Sequence, residues 1–200
     1  SAGGSFDGNA NRMKYNNTLQ GGDIGPLLSD GHLESELFWY LYPSDAEMDR
    51  ANLRMIYLGY YIRDFNDYVN SQIAIDNGLS VREGRDAVPE FMGQTNNFDA
   101  LDDDFVAVNQ MLKYVKFGFG KVAEQLSGAV RLGIMDRQEA AILSEKYDGK
   151  VGEHILKRFC DYIQITENEF WEIAESYRGK DVFEMKNGEW VLKLPLPTVV

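Results

Sequence analysis

The stretch KYVKFGFGKVAEQLSGAVRLGIMDRQEAAILSEKYDGK, Lys113–Lys150, decides the fold class of this 200-residue chain. Val122, Leu126, Ala129 and Val130 recur at the three-to-four spacing of an amphipathic helix, which ends near Leu132-Gly133. Asp136 and Glu139 suit the start of the next helix, which runs to about Tyr147 and stops at Asp148-Gly149. Upstream, Phe105, Val108, Leu112 and Val115 fall on one face of a preceding helix beginning near Asp102, and Gly118 and Gly120 loosen the chain between the two.

The helical pattern continues toward the C-terminus. Ile155, Leu156, Phe159 and Ile163 mark a further helix, and Thr166 with Glu169 forms a capping box ahead of Phe170, Ile173, Ala174 and Tyr177. Residues 182–186 and 189–192 flank Asn187-Gly188, a strong hairpin signal, and Pro195 and Pro197 lie in an extended tail.

Toward the N-terminus the pattern is less regular. Met55–Ile62 is short and rich in β-favouring residues, so it reads as a strand or extended segment. A helix follows over about 65–77, closed by Gly78, and residues 79–100 read as a long loop. The aromatic run Leu37–Tyr42 reads as packing, and Ser44 with Glu47 as a capping box. Residues 1–30 are Gly-, Asn- and Asp-rich and are expected to form a loose arm. The expected fold is mainly α, a helical bundle or array in the C-terminal half with a small β component near 55–62 and 182–192. One domain is expected over 31–200.

Composition narrows the function classes. With 44% hydrophobic residues the chain can bury a core, and its net charge of −12 disfavours nucleic acid and anionic membrane surfaces. Cys160 is the single cysteine, which rules out an intrachain disulfide and fits a reducing, cytoplasmic setting. It falls on the apolar stripe of its helix and reads as a buried, inert thiol. His32 and His154 lie in unlike contexts and supply too few ligands for a histidine metal site. Asp102-Asp103-Asp104 reads as acidic residues offsetting a helix dipole rather than as a Mg²⁺ site.

Against this acidic background, Lys113, Lys116, Lys121, Arg131 and Arg137 face only Glu124 and Asp136 over the same window. An anionic ligand is the functional reading of that local excess; a solvated basic helix face is the bland one. Gly118 and Gly120 likewise admit two readings: a structural helix break, or backbone that lets N–H groups approach a phosphate at a helix start.

The order and spacing of several short pieces resemble the bacterial N-acetyl sugar amidotransferases of surface-polysaccharide and nonulosonic-acid pathways, in the PP-loop ATP pyrophosphatase group. The resemblance spans about Tyr42 to Arg178. It is carried by Tyr42-Pro43-Ser44-Asp45, Tyr57–Arg63, Thr95-Asn96-Asn97-Phe98 and, above all, Leu112–Lys121, and it continues through Arg131–Ala140, Lys146–Lys150 and Ile165–Ile173. It implies an enzyme that uses ATP with Mg²⁺ to activate an acetamido oxygen of a nucleotide-linked N-acetyl sugar, then admits ammonia from a glutaminase partner to form an acetamidino group.

Some family features are missing from this sequence. The Ser-Gly-Gly-x-Asp-Ser pyrophosphate loop and the cysteine pairs are absent, Lys121 replaces the usual arginine, and Asn109 stands where a histidine is common. The chain is therefore expected to be the C-terminal portion of such an enzyme, or a diverged descendant of one, and inactive alone. Lys113, Lys116, Lys121, Arg131 and Arg137 are the expected substrate or phosphate contacts, with Gly118 and Gly120 permitting backbone approach. The rival expectation is a non-catalytic interaction or dimerisation module whose basic face docks an acidic partner, with Trp39 and Trp171 as anchors.

Overall fold

The structure, a computed structural model, describes residues 24–41, 43–52, 54 and 56–194. Most of the expected N-terminal arm and the tail with Pro195 and Pro197 lie outside these residues. The described residues fall into two compact units that meet between Gln72 and Ile73.

In the first unit, α1 (Gly25–Ser29) and α2 (Asp45–Ala51) are short. Ser44 caps α2 as expected: its Oγ accepts the Glu47 N–H, and the Glu47 carboxylate accepts the Ser44 N–H at 2.9 Å. Two expectations are corrected here. Residues 58–60 form a 3₁₀ turn rather than part of a strand, with Leu58 and Tyr61 exposed. The Phe65 ring sits so close to Gly59 that a Cβ there would lie 2.8 Å from it. β-favouring side chains make a strand only with a neighbour to complete the ladder, and residues 56–62 pair with none among the described residues. In the aromatic run Leu37 is buried, but Phe38, Trp39 and Tyr40 are exposed, Trp39 to 87%, so these three rings are not packing; Tyr42 lies outside the described residues.

Helix α3 (Asp67–Asp76) ends at Gly78 as expected. The segment read as one long loop contains a 3₁₀ turn, Gly84–Ala87, and the single-turn α4, Pro89–Met92, started by proline at its first position. The remaining helices are α5 (Val106–Phe117), α6 (Lys121–Arg131), α7 (Arg137–Tyr147), α8 (Glu153–Ile163) and α9 (Glu167–Ser176). The Asp136 side chain accepts the Glu139 N–H at the start of α7, and Thr166 with Glu169 forms the complete box of α9.

Helix α5 begins four residues later than expected. The aspartate triplet precedes it: Asp103 Oδ1 accepts the Phe105 N–H at 2.7 Å, while Asp104 pairs with Arg82 at 2.7 Å and Arg158 at 2.9 Å. Asp104 thus joins three distant segments instead of offsetting the dipole of its own helix.

The apolar stripes set the packing. Val108, Met111 and Val115 of α5 meet Ile155, Leu156 and Cys160 of α8 and Phe170 and Ala174 of α9, forming a three-helix core. Val122 and Leu126 of α6 meet Ala140 of α7 in a second, smaller cluster. The chain closes with an antiparallel hairpin, β1 (Phe183–Lys186) and β2 (Glu189–Leu192), in which Phe183 pairs with Leu192 and Met185 with Trp190. Asn187 and Gly188 both have positive φ, 53° and 86°, the backbone a two-residue type I′ turn requires. Among the described residues the structure is mainly helical with a small two-stranded sheet, as the sequence indicates.

Candidate functional site

The α5–α6 junction carries the two glycines that the sequence offers to phosphate oxygens. Gly118 ends α5 with φ 77°, and a Cβ on it would lie 2.5 Å from Val182 and 2.8 Å from Leu192, so glycine is demanded twice over. Gly120 caps α6. Its N–H donates to Asp148 Oδ2 at 2.8 Å, and the Val122 N–H donates to Oδ1 at 3.1 Å. Asp148 is buried, and burial pushes its carboxyl up from the usual range, opposed by the amides of Gly120, Val122, Ala123 and Gly149.

The first turn of α6 therefore already holds an anion supplied by the chain itself. A phosphate placed there would compete for engaged N–H groups and face a carboxylate at close range, so this junction does not fit a triphosphate. Gly118 and Gly120 serve the helix break and the Asp148 contact. In the sequence Asp148 shows only as a helix stop. Its partner lies 28 residues away, and no local pattern reports such a contact.

The five cations do not act as one cluster. Lys113 Nζ lies 3.4 Å from Glu124 and 5.0 Å from the centre of the Phe119 ring. Lys116 is exposed and lies 5.3 Å from the centre of the Phe117 ring. Lys121 Nζ is 2.7 Å from Asp99 Oδ2. Burial would raise the Asp99 carboxyl, but Lys121, the Gln125 side chain and the Ala100 backbone bring it below its ordinary range.

Arg131 and Arg137 are different. They line one groove of about 380 Å³ between α6 and α7, with Ala123, Leu126, Val130 and Ala140 as apolar wall. Arg131 Nη1 donates to the Ser127 hydroxyl at 2.8 Å, one turn earlier on α6. Among the described residues neither guanidinium is paired with a carboxylate. A guanidinium is a fixed fork of donors matched to phosphate or carboxylate oxygens, so the groove has the chemistry of an anion site with an apolar lining.

Gln125 was missed in the sequence reading. Its Oε1 accepts the Thr95 N–H at 2.8 Å, the Thr95 hydroxyl at 3.0 Å and the Asn96 N–H at 3.3 Å, while its Nε2 donates to Asp99 at 3.1 Å. This buried amide fastens residues 95–99 to α6. A lone glutamine between apolar helix positions gives a hint of such a role, but not of its partners.

The family profile described as "LPS biosynthesis protein WbpG-like, C-terminal domain" matches residues 92–195, just over half of the chain. The chain belongs to that family. The WbpG-like region opens at Met92, the last residue of α4, and takes in α5 to α9, both groove arginines, Asp148 and the hairpin. The pieces of the sequence resemblance at 42–63 lie outside it. By its description the family belongs to lipopolysaccharide biosynthesis. No curated protein matches the chain. Among the described residues, no helix is long and apolar enough to cross a membrane.

Proposed function

We propose that the chain is the C-terminal portion of an ATP-dependent N-acetyl sugar amidotransferase, and that the α6–α7 groove binds the diphosphate of its nucleotide-linked sugar. The observation that carries this reading is the pair Arg131 and Arg137, lining one groove of an acidic protein without carboxylate partners among the described residues. Membership of a lipopolysaccharide-biosynthesis family supports it.

The proposed reaction converts an acetamido to an acetamidino group. An amide carbonyl is a poor electrophile, and its oxygen must become a leaving group before ammonia can displace it. ATP with Mg²⁺ supplies that activation, and ammonia comes from a glutaminase partner. The α5–α6 junction does not fit the ATP phosphates, so they are assigned to no residue of this chain. Arg131 and Arg137 hold and orient the diphosphate. Leu126 and Val130 give the groove an apolar wall beside the two guanidinium groups.

Calorimetry with UDP and UDP-N-acetylglucosamine tests this. Arg131→Ala and Arg137→Ala should each weaken binding at least about tenfold, the cost of a charge-assisted hydrogen bond. Lys113→Ala, which removes a cation paired with Glu124, should leave binding unchanged. Equal affinity in wild type and both arginine variants overturns the assignment.

A further inference from the structure

A second cavity, of about 420 Å³, lies where the hairpin meets the α5–α6 junction and α7. Its walls include Tyr114, Phe119, Glu145, Asp148 and Trp190, and it shares Ala123 and Ser144 with the lining of the arginine groove. Its size falls within the range of small-molecule pockets, about 300–1,000 Å³.

The walls are held in place. Arg178 donates twice to Glu175, at 2.7 and 2.5 Å, and its guanidinium lies 5.0 Å from the Phe183 ring centre and 5.3 Å from that of Trp190. The indole is thus packed against a cation that is itself held by Glu175. Tyr114 makes an edge-to-face contact with Phe183 at 5.5 Å and is backed by Gly149, where any Cβ would strike its ring. Asp148 is fixed by backbone N–H groups.

These walls select a chemistry. Glu145 and Asp148 make the cavity unsuited to phosphate, the reverse of the neighbouring groove. The Ser144 hydroxyl, the Tyr114 phenol and the Glu145 carboxylate make it too polar for a plain hydrocarbon. A pyranose ring offers a C–H face that packs on aromatic rings and hydroxyls that donate to a carboxylate. We infer that this cavity receives the pyranose ring of the nucleotide-linked sugar, with Trp190 and Tyr114 as aromatic walls and Glu145 as hydroxyl acceptor. The inference rests on the arginine groove being the diphosphate site, since the shared Ala123 and Ser144 set the two parts of one ligand side by side.

Saturation-transfer NMR on the full chain with UDP-N-acetylglucosamine, and with UDP alone, tests the inference separately from that reading. In wild type the pyranose and acetamido protons should receive saturation along with the uridine protons. Glu145→Gln, at an exposed position, and Trp190→Leu should each weaken the binding of UDP-N-acetylglucosamine about fivefold, the worth of one hydrogen bond or packing contact, and leave UDP unchanged. Arg137→Ala should weaken both ligands. Saturation confined to uridine, or equal affinity in both cavity variants while Arg137→Ala still weakens UDP, overturns the sugar pocket and leaves the groove reading standing. Absence of any signal from either ligand overturns both.

Discussion

Asp148 Oδ2 accepts the Gly120 N–H at 2.8 Å, tying the end of α7 to the start of α6 across 28 residues of chain. The same carboxylate accepts the Val122 N–H, so one side chain occupies a helix start that the sequence offers as an anion site. Asp148→Ala would leave buried N–H groups without acceptors and should cost about 1–3 kcal/mol of stability. Urea denaturation measures the loss. Faster hydrogen exchange at the Gly120 and Val122 amides would localise it.

Two aspartates should respond to pH with opposite sign. Burial raises the folded-state value of Asp148, so its contribution is greatest below the unfolded carboxylate range and declines as pH rises through the raised value. The Arg82 side chain, aided by Arg158, lowers that of Asp104, so its contribution is present above the unfolded value and is lost as pH falls through the depressed one. The penalty of Asp148→Ala should shrink as pH rises through the carboxylate range, and that of Asp104→Asn should shrink as pH falls. Denaturation of both variants from about pH 3 to 7 checks the two slopes.

Gln125→Glu exchanges an amide donor for a carboxylate oxygen facing Asp99, which Gln125 currently serves as a donor. The bond to Asp99 is lost and two carboxylates are brought together beside Lys121, for an expected cost of about 1–3 kcal/mol. Gln125→Met, which fills the space without the charge, separates the loss of hydrogen bonds from repulsion when the melting temperatures are compared at low and high salt.

Two glycines should answer in opposite directions. A Cβ at Gly149 would strike the Tyr114 ring and strain a backbone with φ 75°, so Gly149→Ala should destabilise by about 1–3 kcal/mol. Gly128 lies within α6 with nothing near its missing Cβ, and Gly128→Ala should stabilise by about 0.5–1 kcal/mol. Thermal melts of the two variants decide both signs.

Arg137→Ala should leave stability within about 0.5 kcal/mol, because the guanidinium makes no ion pair among the described residues. A large loss of stability would mean that the side chain holds the fold together, and the groove would lose its claim as a ligand site.

What the sequence revealed was mostly local. Capping by Ser44 with Glu47 and by Thr166 with Glu169, the stripes of α5, α6, α8 and α9, and the Asn187-Gly188 turn each depend on residues within a few positions of one another. What stayed hidden depends on distant partners. Lys121 looked like a free cation until Asp99, 22 residues earlier, was brought beside it; Asp104 looked like a helix-dipole residue until Arg82 and Arg158 closed on it. Residues 56–62 mislead for the opposite reason: their strand propensity is real, but among the described residues no neighbouring strand completes a ladder, and a 3₁₀ turn forms at 58–60. Of the proposed contacts, Arg131 and Arg137 are brought to one groove because α6 ends and α7 begins on either side of the short Leu132–Asp136 link.

The hairpin gives the sugar-sized cavity an odd-or-even dependence. Side chains on a strand alternate between faces, so Trp190 stands on the opposite face from Glu189 and Val191, and the pairing Met185 with Trp190 fixes which of them stands inward. Adding or deleting one residue at Asn187-Gly188 would turn β2 over and take the indole from that wall, setting Glu189 opposite Met185 on insertion and Val191 there on deletion. Turn length, far from any ligand atom, would then work as a selector of what the cavity accepts.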